Sequence, residues 1–337
     1  MEKKWRVVTG FLLCLFVVIG LIWWVKKEAK DQAPVIQEAV VLLKKIEPFL
    51  AMRDYLLGNR SGGTKIVVLL LNDKELRTNG GFMGSYAVVE MKDGKPTWRF
   101  QDIYVPDGQL PGYVAPPAPV QEAFKTGSHR LPNADWSPDF PKTAAAIRWF
   151  FDKGGEIEPD ILITLNLATV QQVLKIVGEV EVGEYQIKLN EENVYDWLQN
   201  EAEIDFFPGS TQKKDAISAL GKALVNKIEN LDWKTKIELA KLLIDDLEKK
   251  NVVVNSLDEN FEEILRAKGW AGEYSPIPHF VTTGIVEINL GANKANCCIE
   301  RKTKYKITES KNNLIHSIEL RLKNNSPFEF PVKPLFY

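Results

Sequence analysis

"KIVVLLLNDKELRTNGGFMGSYAVVEM", residues 65–91, is the stretch on which the fold turns. Lys65 to Leu71 is a continuous apolar run of strand length. A strand covered on both faces has that texture, so the run is expected at the centre of a sheet. "GSYAVVEM" from Gly84, the turn "KDGK" (Lys92 to Lys95) and "PTWRFQDIYV" (Pro96 to Val105) read as a hairpin with Asp93-Gly94 as its turn signal. Between the two strands lies a connection longer than a tight hairpin needs. It carries Glu75 and Arg77, then Thr78-Asn79, then Gly80-Gly81.

Outward from this stretch, strands and helices alternate. After a proline-rich loop from Pro106 to Pro119, a helix is expected over Pro141 to Lys153, a strand at "DILITL" (Asp160 to Leu165) and a helix at "ATVQQVLKIV" (Ala168 to Val177). That alternation implies an α/β layer structure. Apolar residues at three- and four-residue spacing predict further helices over Glu191 to Glu203, Gln212 to Ile228 and Trp233 to Lys250. "NVVVNS" is a short strand, and "LDENFEEILRAKG" a helix with Gly269 past its end. Beyond Pro276 the texture becomes one of strands only: "FVTTGIVEINLG", "CCIERKTKYKITES" and "NLIHSIELRLKNNS". Three strands are few for a sandwich, so a partial all-β domain is expected.

Upstream, Val7 to Val25 is an uncharged apolar run long enough to span roughly 30 Å of hydrocarbon as a helix. Its Leu, Ile, Phe and Val residues sum to about −4 to −8 kcal/mol for insertion. Trp5 and Trp23-Trp24 sit where an aromatic belt belongs, and Lys3, Lys4 and Arg6 favour an N-terminus on the cytoplasmic side. A retained anchor is expected in preference to a cleaved signal, because two tryptophans end the run where small residues would be needed. The predicted organisation is a cytoplasmic stub and transmembrane helix (1–27), a helical stalk and linker (28–63), an extracytoplasmic α/β domain (64–275) and the partial β domain (276–337). The protein is thus expected in the cell membrane as a single-pass protein with its bulk outside.

The formal net charge of −2 arises from acids and bases mixed along 337 residues, so no broad basic surface for nucleic acid is implied. Cys14 lies in the span, and Cys297-Cys298 are adjacent, a pair whose geometry rarely permits a bond to each other, so no disulfide framework is visible. His129, His279 and His316 have no Cys or His at metal-ligand spacing. No nucleophile elbow, phosphate-binding P-loop, dinucleotide fingerprint or zinc-peptidase motif is present.

Four segments together resemble one family: "LLLNDKELRTNGGFMGSY", "NADWSPDFPKTAA", "EPDILITLNLATVQQVLKIVGEVEV" and "INLGANKANCCIERKTKYKI". The chain is similar to the bacterial envelope proteins grouped as domain of unknown function 4012, with their ELR-x-x-GGF, W-S-P-D-F-P and late N-x-G-x-x-K-x-N segments. The order of strand, hairpin, "DIYVPDGQLPGY", helix and "EPDILITLNLATVQQVLKIVGEVEV" also resembles the LytR-CpsA-Psr phosphotransferases. That resemblance implies an extracytoplasmic α/β domain that meets a polyprenyl diphosphate-linked glycan, with arginines on the diphosphate and aspartates on magnesium. Asp102 matches the aspartate before Tyr-Val-Pro. The arginine expected before it is Gln101, and the later arginine-rich stretch is matched by "DFFPGSTQKKDA", which offers only Lys213 and Lys214. Lysine contacts phosphate as a point charge and cannot reproduce bidentate guanidinium recognition.

Two readings stand beside each other for every candidate residue. Arg77 clamps an anion while Gly80 and Gly81 let backbone N–H groups approach it; or Glu75 and Arg77 form a structural ion pair and the glycines supply positive φ. Asp135 and Asp139 hold magnesium with diphosphate oxygens; or Ser137 caps a helix with Pro138 at its first position and Trp136 plugs the surface. Asp102 leaves a strand end where α/β sheets place ligand residues, whereas Asp107-Gly108 need only turn the chain. If the protein is an enzyme, Asp102 and Arg77 are the expected catalytic residues, Glu75, Gly80, Gly81, Asp135 and Asp139 the ligand contacts, and Asp102 and Asp139 the magnesium ligands. The alternative is a non-catalytic binding or scaffold protein on the same fold. Its partners would be the membrane and a lipid-linked glycan or another envelope component.

Overall fold

The computed structural model describes residues 41, 44–125, 127–203, 212–274, 283–289, 294–310 and 313–326. The expected span, Val7 to Val25, lies outside them. Among the described residues no helix is long and apolar enough to cross a membrane.

The core of the fold is a five-stranded sheet in the order β3-β2-β1-β4-β7. Its strands are β1 (Thr64–Asn72), β2 (Phe82–Lys92), β3 (Lys95–Asp102), β4 (Ile161–Asn166) and β7 (Val254–Ser256). The apolar run is the central strand, as its composition requires. β1 pairs antiparallel with β2 and parallel with β4, β2 pairs antiparallel with β3, and β4 antiparallel with β7. A register shift between Leu70 and Leu71 marks the carboxyl end of β1. The β2–β3 turn has Asp93 and Gly94 both at positive φ, the conformation that Asp-Gly favours in a two-residue hairpin.

Side chains of β1 alternate between two cores. Ile66 and Val68 face one that receives residues of α5 (Leu167–Val177), α7 (Gln212–Glu229), α8 (Trp233–Glu248) and α9 (Glu259–Ala267). Val67, Leu69 and Leu71 face the other, filled by Phe140, Ala144, Ile147, Phe150 and Phe151 of α4 (Phe140–Lys153). Gly221 of α7 lies so close to β3 that a Cβ there would come within 2.6 Å of the Phe100 ring. Residues 44–57, read as a stalk, contribute Ile46, Tyr55, Leu56 and Leu57 to the first core. Three short helices, α1 (Arg53–Leu56), α2 (Tyr104–Gly108) and α3 (Ala118–Phe124), and the α6 helix (Val194–Glu203) complete the layers, with a small β5–β6 ribbon (Val180–Val182, Ile187–Leu189).

Three expectations need correction. The strand "PTWRFQDIYV" stops at Asp102, because its carboxylate Oδ1 accepts the Tyr104 N–H at 2.9 Å and bends the chain into α2. Ser137 and Pro138 do not begin α4; the helix starts at Phe140 with Asp139 in the cap position and Pro141 in its first turn. In the C-terminal part, residues 283–289 of "FVTTGIVEINLG" form no strand. There β8 (Ile299–Ser310) and β9 (Asn313–Asn324) make a separate two-stranded antiparallel ribbon.

Candidate binding site at the carboxyl edge of the sheet

β1, β3 and β4 all run the same way, so Asn72, Asp102 and Asn166 end along one edge of the sheet. This is the edge where open α/β sheets expose ligand residues. Asn166 caps α5, its Oδ1 accepting the Thr169 N–H at 2.8 Å. The 73–81 connection leaves β1 at this edge and folds back on itself. The Phe82 N–H donates to the Glu75 carbonyl at 2.8 Å, and the Gly80 N–H to the Arg77 carbonyl at 3.2 Å.

Gly81 has φ +152°, and a Cβ on it would lie 2.4 Å from the Asn72 carbonyl oxygen. The glycine is therefore required by backbone crossing backbone. Gly81→Ala is expected to lower the unfolding free energy by about 2–4 kcal/mol, from a strained backbone and an overpacked contact. An unchanged urea midpoint would remove this account of the double glycine.

Glu75 and Arg77 are both buried, and their side chains pair at 2.9 Å. Arg77 also donates to the backbone carbonyls of Leu76 at 3.1 Å and Asn289 at 3.0 Å, and its guanidinium lies 5.3 Å from the Phe82 ring centroid. Of the two sequence readings, the geometry displays the buried ion pair and the positive-φ glycines. Burial raises the Glu75 carboxyl above its usual range, opposed by Arg77, Lys294 and Lys213. Burial likewise lowers the Lys294 ammonium, against the pull of Glu75.

Asp135 joins this group from the loop before α4. The Thr78 hydroxyl reaches the carbonyl oxygens of Asp135 and Ser137, and the Asn79 amide donates to the Ser137 carbonyl at 3.0 Å. Asp135 is buried, and neither carboxyl oxygen has a hydrogen-bond partner among the described residues. Burial lifts its pKa to about 7, Arg77 pulling it down and Glu75 pushing it up. Two of the four segments quoted for the family resemblance are thus knitted together through Thr78 and Asn79.

Asp102 and Asp139 stand in different surroundings. Asp102 Oδ2 lies 3.2 Å from Lys213 Nζ, which also donates to the Gly84 carbonyl at 2.8 Å. Ser85 pairs with Asp102 in the β2–β3 register and with Leu70 of β1, so Asp102 is two strands, about 10 Å, from the carboxyl end of β1. The Ser85 hydroxyl is buried with no hydrogen-bond partner among the described residues. Lys213 pairs with Asp102, and its charge is also felt, more weakly than those of Arg77 and Lys294, at Glu75. Asp139, in contrast, pairs with Lys142 at 2.8 Å and accepts the Tyr274 N–H at 3.3 Å.

This donor set does not fit a magnesium ion shared by Asp102 and Asp139, since each carboxylate is engaged by its own cation and backbone amide. Among the described residues no group of three or more His, Cys, Asp or Glu side chains is arranged to hold a metal. Asp107, read as a turn former, is buried and receives the Leu131 N–H at 2.8 Å and the Arg130 guanidinium at 2.9 Å, fastening the proline-rich loop.

Reasoning from residue types alone passed over Ser85, Asn289 and Lys294. A lone serine in an apolar strand carries no signal. The other two had one: Asn289, Lys294 and Asn296 occupy three fixed positions of the N-x-G-x-x-K-x-N segment, and all three converge on the 73–77 loop. The Asn289 N–H donates to the Leu76 carbonyl at 3.0 Å, and Asn296 donates from its backbone to Lys74 at 3.1 Å and from its side chain to Asp73 at 2.6 Å.

Residues 61–202 match the model of the family described as protein of unknown function (DUF4012), so the family resemblance holds over that segment. No curated protein matches the chain. Among solved structures, similarity is found to the Lin1025 protein from Listeria innocua, with 10% identity over 76% of this chain and 91% of that one at a TM-score of 0.33. TagV from B. subtilis has 14% identity over 62% and 79% at 0.35. The Bacillus subtilis protein described as transcriptional regulator yvhJ has 14% over 76% and 89% at 0.33.

Proposed function

We propose that this chain is a single-span envelope protein that binds a diphosphate-linked lipid carrier of glycopolymer without transferring it. The observation that carries the reading is Lys213: a half-buried ammonium at the carboxyl edge, held by Asp102 and the Gly84 carbonyl. A diphosphate entering there meets the Lys213 ammonium, while Asp102 keeps Lys213 oriented until the ligand arrives. Arg77 supports the floor of the site through Glu75 instead of gripping the anion. The mismatch at Gln101 and the lysines in place of an arginine-rich stretch favour binding over transfer, because a point charge holds a phosphate without fixing its geometry.

Calorimetry of a soluble polyprenyl diphosphate analogue against the full chain in detergent tests this, with and without magnesium. Micromolar binding is expected, weakened about 10- to 100-fold in Lys213→Ala, the worth of one charge-assisted hydrogen bond. Equal affinity in the variant would move the ligand away from this edge. Turnover of the analogue would make the protein a transferase and overturn the non-catalytic part of the reading.

A second reading rests on the β8–β9 ribbon. Tyr305, Ile307, Leu314, Ile318, Leu320 and Leu322 are exposed and, by the strand register, share one face. An uncovered apolar face of this kind suits a scaffold that docks another envelope component.

A further inference from the structure

The turn Ala295–Cys298 places two thiols together beside the 73–77 loop. Cys297 is exposed, Cys298 half-buried, both are free, and their Sγ atoms lie 2.8 Å apart. Although neighbouring cysteines rarely react with each other, here both sulfurs lie on the same side of the turn. Burial and the neighbouring Cys298 raise the Cys297 thiol above its usual range, the charge of Lys74 opposing them, and the Lys74 ammonium lies 5.8 Å from the Tyr195 ring centroid. The turn is pinned at both ends: Asn296 donates to the carbonyls of Lys74 at 3.1 Å and Asp73 at 2.6 Å, and the Asn325 N–H donates to the Cys298 carbonyl at 2.9 Å.

We propose that Cys297 and Cys298 form a thiol–disulfide exchange site, closing to a vicinal disulfide at the expense of an external disulfide and loosening the Asn296 anchor as they close. The exposed Cys297 loses its proton to solvent and attacks one sulfur of the external R–S–S–R. That S–S bond breaks, a mixed disulfide forms on Cys297, and the departing RS⁻ takes up a proton. Cys298, deprotonated in turn, attacks the Cys297 sulfur and expels the second RS⁻, which is also protonated. Two protein thiols are oxidised, one disulfide is reduced to two thiols, and protons balance.

The consequence for the fold follows from covalent geometry. Adjacent Cα atoms are about 3.8 Å apart, below the usual 4.4–6.8 Å for bridged cysteines, so closing the ring rotates the backbone joining the two residues. Asn296 is covalently attached to that rotating unit, and its two hydrogen bonds are what hold the turn to Asp73 and Lys74. Redox state thereby reaches the loop that carries Glu75 and Arg77.

The test uses full-length protein in detergent, incubated with glutathione disulfide, alkylated and digested with trypsin. The peptide 295–301, which contains both cysteines, is expected to lose about 2 Da, the mass of two hydrogens, to resist alkylation, and to recover both thiols on reduction. Cys298→Ser is expected to stop at a glutathione adduct on Cys297. Hydrogen–deuterium exchange on the oxidised protein is expected to show lost protection at the Asn296 amide. Two glutathione adducts on one peptide, or two alkylated thiols after treatment, would overturn the exchange site. Ring closure with Asn296 protection intact would overturn its coupling to the loop.

Discussion

Arg77→Ala is expected to lower the unfolding free energy by about 3–5 kcal/mol near pH 7.5, because it leaves buried acid without its cation. The side chain is almost wholly enclosed, its partner Glu75 is buried, and Asp135 lies within its field. Removing the guanidinium also takes donors from the Leu76 and Asn289 carbonyls. The Glu75 and Asp135 carboxyls then face each other with weaker compensation. Both escape by binding protons, so the loss is expected to shrink as pH falls toward 5. Urea unfolding at both pH values checks it. A variant as stable as the parent at pH 7.5, with diphosphate analogue binding abolished, would return Arg77 to the role of anion clamp.

The second large effect is expected from Asp135→Asn. The Asp135 carboxyl has its pKa lifted by burial to about 7, against an ordinary value of 3.8. Between those values the folded protein holds the proton more tightly than the unfolded chain, so stability falls as pH rises. The contribution is fully present below pH 3.8 and is lost as pH passes through about 7. A shift of this size corresponds to about 4 kcal/mol as an order of magnitude. The asparagine variant carries no titrating proton there. It is expected to be more stable than the parent above pH 7 and to show a flatter stability profile from pH 4 to 7. Glu75, also raised by burial, leaves a residual slope of the same sign. Parallel profiles for parent and variant would show that Asp135 titrates normally, and would withdraw the picture of a buried carboxyl without partners.

These two residues show how sequence and structure divide the account. Central placement of β1, the Asp-Gly hairpin, and the alternation of β4, α5 and the later helices follow from local rules: apolar period, turn chemistry and caps act within a few residues. The ELR-x-x-GGF and N-x-G-x-x-K-x-N patterns were visible too, as separate segments more than two hundred residues apart. Nothing local says that Asn289, Lys294 and Asn296 close over the 73–77 loop, or that Lys213 reaches Asp102 across the edge of the sheet.

What the sequence by itself determined is the α/β layering, since composition and apolar period are properties of short stretches, whereas the backbone crossing at Gly81 is a tertiary contact. Only the tertiary structure shows Arg77 in a buried pair with Glu75. A guanidinium beside a carboxylate two residues away reads equally as a clamp or as an ion pair until burial is known. The C-terminal segment contributes the Asn289 carbonyl to Arg77, and burial lifts Asp135 out of the ordinary carboxylate range. Desolvation depends on everything packed around a group, and that is a quantity no window of sequence contains.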